Sequence, residues 1–313
     1  MNEGYLGIDF GGTKVKFAVL TKENKVVRIF SVPTGDIVKS SDIVSIVNRG
    51  FVKASKDVHI LAAGIGIAGM VKPREGIAAF LTNLGGLTNV PIVQLVSERL
   101  KVPVFLDNDV NVALLGESRA GILRNVKDAI YIAVGTGVGG AILLSGKIYL
   151  GKDGFAGEFG HITVRPNGLK CNCGKRGCLE TEASGKGIER FVFNRIKRGE
   201  KTSIDKIDAK RIAYFAKRGD KLAVKAFENA AHYLALTTGN LINIFNPEMV
   251  VFGGGVTESD LIIERVKSFL PRYALKSFLT DVKIVPGKLK NDAGAIGGTY
   301  LAAERLSGRT VYV

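Results

Sequence analysis

The chain has 313 residues, of which 46% are hydrophobic and 23% are charged. This composition is too apolar for a disordered protein, and the length is sufficient for two packed domains. The formal net charge of +15 favours anionic ligands such as nucleotides. The basic residues are scattered, without a dense stripe or interleaved aromatic residues, and this argues against nucleic acid as a specific partner.

Membrane and export signals are absent from the sequence pattern. No apolar run approaches the roughly 20 residues that a membrane-spanning helix needs. The first residues enter a strand-like pattern at once, with no succession of basic segment, apolar stretch and small-residue cleavage site. We therefore expect a soluble protein located in the cytoplasm.

The first third of the chain alternates between strand and helix patterns. Strands are predicted over residues 5–10, 15–20, 25–32 and 59–67, and helices over residues 42–55 and 92–100. A short buried strand over residues 104–106 then leads into the polar run Asp107-Asn108-Asp109. Polar side chains are therefore expected where this strand ends.

The second part repeats the strand, glycine turn, strand plan of the beginning, which indicates an internal duplication. Strands are predicted over residues 129–134 and 140–150, around the glycine-rich residues 135–140. Residues 184–245 have mostly helical periodicity, residues 249–252 form a strand closed by three glycines, and residues 293–305 form a terminal helix.

Glycine turns are the candidates for phosphate binding. The P-loop pattern is absent, which excludes P-loop kinases. Two stretches, residues 64–69 and 135–140, match Gly-x-Gly-x-x-Gly, but neither opens a helix as a dinucleotide site requires. The turn over residues 9–14, Asp-Phe-Gly-Gly-Thr-Lys, suits a different cradle, because its backbone N–H groups, the Thr13 hydroxyl and Lys14 can face phosphates.

All three cysteines lie within eight residues of one another, shortly after His161. An odd, clustered set argues against disulfides in a cytoplasmic protein. Three thiolates and one imidazole make a closed tetrahedral site of the structural zinc type. The alternative is buried cysteines without a metal, but this glycine-rich segment packs poorly as core and turns well around an ion. The predicted zinc ligands are His161, Cys171, Cys173 and Cys178.

Several motifs together resemble known nucleotide-dependent kinases. The turns at residues 9–14, 135–140 and 253–255, in this order, resemble the ATP sites of the actin, hexokinase and heat-shock-70 class. The run Gly157-Glu158-Phe159-Gly160-His161, followed by the cysteine segment that ends in Cys-Leu-Glu at residues 178–180, resembles the signature of the ROK family. This family is named for repressors, open reading frames and kinases. The resemblance spans essentially the whole chain.

The resemblance implies a fold and a division of the chain. The fold is an α/β fold of the actin-like ATPase (ribonuclease H-like) class, with two lobes around a central cleft. We expect an N-terminal lobe over residues 1–118, a C-terminal lobe over residues 119–296, and a C-terminal helix at about residues 297–313 that packs back on the first lobe. A hinge near residues 114–125 would let closure exclude water from the reaction.

The candidate catalytic base follows the short strand. Phosphoryl transfer to a sugar needs a base within hydrogen-bond reach of the attacking hydroxyl. Residues 108–113 match the family segment Asn-Asp-x-Asn-x-Ala, in which the aspartate is the base and the preceding asparagine binds sugar. The resemblance thus implies Asp109 as base and Asn108 as a sugar ligand. Asp107 is the alternative, and it could equally cap the following helix.

The resemblance also implies the remaining ligands. The sugar-binding residues are Gly69, Asn83, Asn108, Asp109, Glu158, His161 and Glu180, although Glu158 and Glu180 could instead support the zinc segment. The nucleotide and its Mg²⁺ are bound by Asp9, Gly11, Gly12, Thr13, Lys14, Gly135, Thr136, Gly137, Gly254 and Gly255, with Asp9 orienting the magnesium through water. The chain departs from the family at residues 66–69, where Gly-x-Pro-Gly is frequent, and around Asn83, where Pro and Trp are frequent.

The function implied is ATP-dependent phosphorylation of a hexose, foremost D-glucose to glucose 6-phosphate. The alternatives are a kinase for N-acetylglucosamine, N-acetylmannosamine, fructose or allose, and a non-catalytic, sugar-responsive transcriptional regulator. The regulator is disfavoured because such repressors carry a helix-turn-helix domain before the first strand, which begins here at Tyr5. The family further implies a homodimer or homotetramer.

Overall fold

The computed structural model of the protein describes residues 2–81, 84–257 and 261–313. The chain divides into two compact units. Unit 1 comprises Met1–Lys127, Ala141–Ala156 and Asn291–Val313, and unit 2 comprises Asp128–Gly140 and Gly157–Lys290. The lobe boundaries expected at residues 118 and 296 stay predictions.

The strands lie close to the sequence-based expectations where expectations existed. In chain order they are β1 (Asn2–Phe10), β2 (Lys14–Thr21), β3 (Val26–Pro33), β4 (Val58–Ile67), β5 (Met70–Lys72), β6 (Ile77–Leu81), β7 (Leu87–Val90), β8 (Val104–Asn108), β9 (Ala129–Val134), β10 (Val138–Leu144), β11 (Lys147–Ile148), β12 (Met249–Gly253) and β13 (Lys283–Pro286). The predicted strand over residues 140–150 is in fact the hairpin β10–β11. Strands β5, β6, β7 and β13 were not predicted.

The helices follow the predicted periodicity, with breaks in the long helical region. They are α1 (Ser40–Ala54), α2 (Ile92–Leu100), α3 (Asp109–Ala120), α4 (Leu179–Ala183), α5 (Gly185–Ile196), α6 (Ala209–Lys217), α7 (Lys221–Phe245), α8 (Ile263–Phe269), α9 (Lys276–Leu279) and α10 (Ala293–Leu306). The prediction for α2 is confirmed at both ends. Asp220 and Asp208 begin α7 and α6 because their carboxylates accept backbone N–H groups of the first turn.

The first sheet, with strand order β3-β2-β1-β4-β8, determines where the polar strand ends lie. Strands β1, β4 and β8 are parallel, so their carboxyl ends meet at one edge. In the register, Asp9 lies beside Gly66 and Gly66 lies beside Asp107. Two acidic residues far apart in sequence thus share one row of this sheet.

Helix α10 packs directly on the first sheet through glycines. A Cβ on Gly7 would lie 1.9 Å from the Ala295 carbonyl oxygen, and a Cβ on Gly64 would lie 2.1 Å from that of Gly298. No side chain fits at such distances, so glycine at these strand positions permits the close approach. The same helix therefore supports the carboxyl edge of β1 and β4.

Two further sheets complete the architecture. A five-stranded sheet has the order β11-β10-β9-β12-β13, with β9, β12 and β13 parallel, and a three-stranded antiparallel sheet has the order β5-β6-β7. The core of unit 1 lies around the first sheet, where Phe10, Phe17 and Ile65 are fully or almost fully buried. Among the described residues, no helix is both long enough and apolar enough to cross a membrane.

Candidate functional site

The carboxyl edge of β8 carries a hydrogen-bonded turn into α3. Asp107 is fully buried, and its Oδ1 accepts the backbone N–H of Asn108 at 2.7 Å and the Nδ2 of Asn111 at 2.9 Å. Asn108 accepts the N–H of Val110 at 2.8 Å through its own side-chain oxygen. The residue that caps α3 is therefore Asn108 and not Asp107, because the Asp107 side chain points into the interior.

Asp109 is the first residue of α3 and is half-buried. Its charge reaches Asp9 at the end of β1. Burial raises the pKa of the Asp9 carboxyl to about 7, the negative Asp109 adds to this rise, and Lys16 opposes it. Unit 1 thus brings two carboxylates together at one sheet edge, where the charge of Asp109 disfavours the ionised state of Asp9.

The pKa of Asp107 is also raised by burial, but no neighbouring carboxylate among the described residues adds to the rise. Burial raises the pKa of its carboxyl to about 6, while hydrogen bonds from Asn111 and Asn108, the Tyr312 hydroxyl and the charge of Arg305 oppose the rise. The groups around the Asp107 carboxyl thus belong to the protein itself and hold it in place. This is consistent with Asp109, rather than Asp107, as the candidate base.

The glycine turn over residues 11–14 is held by a neighbouring loop. The Thr34 hydroxyl donates to the Gly11 carbonyl oxygen at 2.8 Å, and the Thr34 N–H donates to the Thr13 carbonyl oxygen at 3.1 Å. Gly12, Thr13 and Lys14 remain exposed. A recess of about 460 Å³ lies beside Gly12 and is lined by residues 34–38, 84 and 85. The turn thus offers open space and solvent-facing donors for an anion.

Gly294 forms the floor beneath Asp9. A Cβ at this position would lie 2.6 Å from the Asp9 Cγ, so only glycine leaves the carboxyl in place. Lys16 lies nearby and binds the Asp292 carboxylate, Nζ to Oδ1, at 2.6 Å. The start of α10 therefore positions two side chains of the β1–β2 hairpin.

The predicted sugar ligands of unit 1 are partly placed. The Gly69 carbonyl oxygen accepts the Asn108 Nδ2 at 3.1 Å, so these two residues lie side by side. Gly69 has a φ of +134°, and a Cβ there would lie 2.3 Å from the Phe80 carbonyl oxygen. Glycine is thus needed at this turn even though the family's preceding proline is replaced by Ala68. Asn83 lies outside the described residues.

The predicted zinc ligands converge in unit 2. One ligand atom from each of the four predicted residues lies within 4.8 Å of all the others. The Cys173 and Cys178 sulfurs are 3.6 Å apart, and the Cys171 sulfur is 3.7 Å from the His161 Nδ1. A tetrahedral ion with Zn–S bonds of about 2.3 Å would place its sulfurs roughly 3.8 Å apart. The donor set and its spacing therefore fit a closed, four-coordinate metal.

His161 presents two different faces. Its Nδ1 is the nitrogen that faces the cysteines, and its Nε2 lies 3.9 Å from the Glu158 Oε2. Partial burial raises the pKa of Glu158; His161 opposes this rise and the Glu180 carboxylate adds to it. A ligand bound through Nδ1 would leave Nε2 and the Glu158 carboxylate, which is 49% exposed, available for a polar substrate.

Glu180 connects the start of α4 to the second glycine turn. Its Oε2 accepts the Val138 N–H at 3.0 Å, and a Cβ on Gly137 would lie 2.2 Å from the same oxygen. The Gly135 carbonyl oxygen accepts the Gly185 N–H at 2.8 Å, which joins the turn to the start of α5. One Glu180 oxygen is thus bonded to the second glycine turn rather than to the zinc segment, and the role of Glu180 stays a prediction.

The third glycine turn packs beside the second. Gly254 has a φ of +88°, and a Cβ there would lie 2.5 Å from the Val134 carbonyl oxygen, immediately before Gly135. The Val256 N–H also donates to that carbonyl at 3.1 Å. Unit 2 therefore groups the glycines predicted from its two turns at the ends of β9 and β12.

Some site residues were not predicted. The sequence carries no signal for Thr34, because a threonine after a strand has no pattern that indicates its partner. Gly294 lies in the predicted terminal helix over residues 293–305, but its contact with Asp9 follows only from the packing of α10 on β1.

Comparisons with known proteins agree with this geometry. The model of the ROK family matches residues 5–305. A glucokinase of Halalkalibacterium halodurans is 35% identical over 96% of this chain and 95% of its own length. The crystal structure of a ROK family glucokinase from Streptomyces griseus, in complex with glucose and AMPPNP, is similar with a TM-score of 0.85 and 31% identity, over 96% of this chain and 99% of that one. A xylose repressor of Caldicellulosiruptor bescii is 33% identical over 76% of this chain and 61% of its own length.

Proposed function

Because the chain belongs to the ROK family, we propose that it transfers the γ-phosphoryl group of ATP to a hexose, foremost to D-glucose, giving glucose 6-phosphate. The observation that carries this proposal is Asp109, which lies half-buried at the carboxyl edge of the first sheet beside the phosphate-facing turn of β1 and β2. Full-length similarity to glucokinases supports the choice of substrate.

The expected fold class is confirmed. The similarity to the glucokinase of Streptomyces griseus extends over 96% of this chain and assigns it to the actin-like ATPase fold. That structure holds glucose together with an ATP analogue, and this supports the same pair of substrates for this chain.

Asp109 would act as the general base. A carboxylate within hydrogen-bond reach of the sugar hydroxyl takes its proton as the oxygen attacks the γ-phosphorus. Asn108 would orient the sugar, since its amide is already fixed by the Gly69 carbonyl oxygen at 3.1 Å. The base and its neighbour are thus attached to one rigid strand end, which favours a constant attack geometry.

The nucleotide would be bound by the glycine turns, whose N–H groups suit phosphate oxygens. We propose residues 11–14 in unit 1 and residues 135–137, 254 and 255 in unit 2. Mg²⁺, when bound, would supply positive charge for the phosphates, and Asp9 is the carboxylate that would hold it through water. The donor set fits, because burial and the Asp109 charge raise the pKa of the Asp9 carboxyl, and a bound cation would offset this unfavourable negative charge.

Zinc is the metal that the cluster of His161 and the three cysteines fits best. Its role would be structural, since four protein ligands leave no open position. The ion would fix the ring of His161 through Nδ1, and the free Nε2 would then face the sugar beside Glu158.

The first test is an assay of ADP release with Mg-ATP and parallel sugars: glucose, N-acetylglucosamine, N-acetylmannosamine, fructose and mannose. We expect the highest kcat/KM with glucose. Preference for an acetylated sugar would keep the base and the fold but overturn the assignment of glucose. No turnover with any sugar, from protein that contains its metal, would refute the kinase.

A second candidate function is a sugar-responsive regulator, favoured by the similarity to the xylose repressor. This chain covers only 61% of that protein's length, so the similarity does not extend to the whole repressor. A gel-shift titration at physiological salt separates the two. Sequence-specific DNA binding without sugar turnover would favour the regulator, whereas weak, salt-sensitive binding is what a net charge of +15 alone produces.

We also propose a homodimer or homotetramer on the basis of the family. Light scattering coupled to size exclusion gives the mass in solution, to be compared with the 33.5 kDa of one chain. A monomeric mass at micromolar concentration would contradict this proposal.

A further inference from the structure

Asp107 is the central residue beneath the proposed catalytic segment. Its Oδ1 holds the N–H of Asn108 and the side chain of Asn111, which lie on either side of Asp109 in the chain. Its Oδ2 is equally buried but has no hydrogen-bond partner of normal geometry among the described residues. A buried carboxylate oxygen without a donor is costly, so a polar group facing it is significant.

Tyr312 supplies that polar group from the far end of the sequence. Residues 311–313 pair with β11: the Ile148 N–H donates to the Val311 carbonyl oxygen at 2.8 Å, and the Val313 N–H donates to the Ile148 carbonyl oxygen at 3.0 Å. This pairing and the complete burial of Val311 hold the segment in unit 1. This pairing brings Tyr312 close enough for its hydroxyl to interact with the Asp107 carboxyl, although not with the geometry of a normal hydrogen bond.

The ring of Tyr312 is fixed independently of its hydroxyl. The Arg305 guanidinium, in the last turn of α10, lies 5.6 Å from the Tyr312 ring centre and 5.7 Å from that of Phe105 on β8. The cation between two aromatic rings attaches the segment to the same strand that carries Asp107. Removal of the hydroxyl alone should therefore leave the ring where it is.

We propose that Tyr312 is a positioning residue of the catalytic segment: its hydroxyl holds the buried Asp107 carboxyl in the orientation that fixes Asn108 and Asn111 around Asp109. The inference deepens the proposed kinase function and rests on it for the catalytic consequence. Neither Tyr312 nor Asp107 contacts the substrate in this role. They act through the hydrogen bonds of Asn108 and Asn111, and a small displacement of the base is sufficient to slow the reaction.

The test compares Tyr312→Phe with Tyr149→Phe, a matched change at a tyrosine that is 37% exposed. We expect the Tyr312 variant to lose about tenfold in kcat, with KM for ATP within twofold and a small fall in melting temperature, because the buried carboxyl loses its facing polar group. Amide hydrogen exchange in the peptide covering residues 107–112 should become several-fold faster, while exchange in α1 stays as in the wild type. The Tyr149 variant should match the wild type in every measurement.

Two results would overturn the proposal: wild-type kcat in Tyr312→Phe, or unchanged exchange in residues 107–112. If Tyr312→Phe fails to fold, Tyr312→His provides a ring with a polar edge, and the same exchange comparison applies. Asp107→Asn gives an independent check, because Tyr312→Phe should add little in that background if it acts through Asp107. Multiplicative losses would contradict this.

The exchange measurement separates this inference from the kinase assignment. If the wild-type protein phosphorylates no sugar, the proposed function fails, while faster exchange in Tyr312→Phe would still show that the hydroxyl orders residues 107–112. If the wild type is active and the variant equals it in both measurements, only the positioning role fails.

Discussion

Two segments carry most of the proposed chemistry, and they are held in shape by different forces. Residues 107–111 in unit 1 are fixed by hydrogen bonds within the chain, since Asp107 and Asn108 accept four of them at the end of a sheet strand. Residues 161–178 in unit 2 form a glycine-rich loop in which four metal-ligand atoms converge within 4.8 Å. The first segment is complete without a ligand, whereas the second has the geometry of a coordination sphere.

The difference indicates which changes should affect activity alone and which should affect stability. Asp109, the proposed base, lies on a preformed support, so its replacement should affect activity more than stability. A cysteine of the loop would contribute to the structure through the proposed metal, so its replacement should lower stability.

Asp109→Asn should reduce kcat by about 10²–10⁴-fold, the usual contribution of a general base. The amide retains the size and the helix position of the carboxylate, so the melting temperature should stay within about 2 °C of the wild type. Steady-state kinetics with the preferred sugar and a thermal melt measure both.

The control for this change is Asp281→Asn, at an exposed aspartate in unit 2. It should retain the full rate. A rate for Asp109→Asn within threefold of the wild type would show that another group removes the proton, and the assignment of the base would be wrong.

Cys173→Ser should abolish stoichiometric metal binding. Cys173 is the exposed cysteine of the three, so the new hydroxyl is not buried and the effect reports on the metal. We expect one zinc ion per chain in the wild type by elemental analysis and none in the variant, with a fall in melting temperature of roughly 10 °C. Activity should fall with the order of the loop that carries His161.

Asn172→Ser is the matched control, because Asn172 is exposed and lies between two ligands without being one. It should keep its zinc and its melting temperature. If the wild type contains zinc and Cys173→Ser is equally stable, then the loop keeps its structure without the metal, and the prediction is wrong.

The comparison also explains what the sequence could predict. The clustered cysteines indicate a metal site without further information, and the four predicted ligands, His161 and the three cysteines, do converge. The strand over 129–134 and the helix over 92–100 were predicted to the residue because their ends coincide with glycine and proline punctuation. Short exposed strands such as β5 and β7 lack an apolar period, and their pairing is set by contacts remote in sequence.

The contacts that hold the proposed site residues of unit 1 in place were harder to predict from the sequence. The roles of Gly294, Thr34 and Tyr312 depend on the packing of residues about 23 to 285 positions away from their partners in the chain. No local pattern encodes such contacts. Likewise, the N-cap of α3 is Asn108 and not Asp107, because the buried Asp107 carboxylate accepts a hydrogen bond from Asn111. The sequence alone does not show which of the two side chains is buried.

Gly294→Ala should moderately affect both the stability of unit 1 and the KM for Mg-ATP. The new Cβ would lie 2.6 Å from the Asp9 Cγ, so the carboxyl or the start of α10 must shift. We expect a loss of stability of about 1–3 kcal/mol, as for other overpacked sites, together with a raised KM for Mg-ATP. Gly255→Ala, where a Cβ meets nothing within 4 Å, is the control for stability in urea unfolding. Equal stability of both variants would mean that α10 can shift to accept the new Cβ without a loss of stability.

The smallest effect concerns the pH dependence of stability through Asp9. The folded pKa of about 7 lies above the ordinary value of 3.8, so the folded chain binds this proton more tightly than the unfolded chain. The ionised carboxyl therefore costs nothing near pH 4, destabilises increasingly as the pH rises toward 7, and reaches its full cost above pH 7. Asp9→Asn removes this cost, because the amide carries no charge at any pH.

We accordingly expect Asp9→Asn to be more stable than the wild type at pH 8, by a margin that shrinks steadily as the pH is lowered to 4.5, in urea unfolding. Comparison of the same two proteins at both pH values cancels the contribution of Asp107, whose raised pKa acts in the same direction in each. A difference that is the same at both pH values would show that Asp9 does not titrate in this range. A gain in stability coupled to a loss of Mg-ATP binding would mean that unit 1 maintains an unfavourable pair of carboxylates because the nucleotide-bound cation requires it.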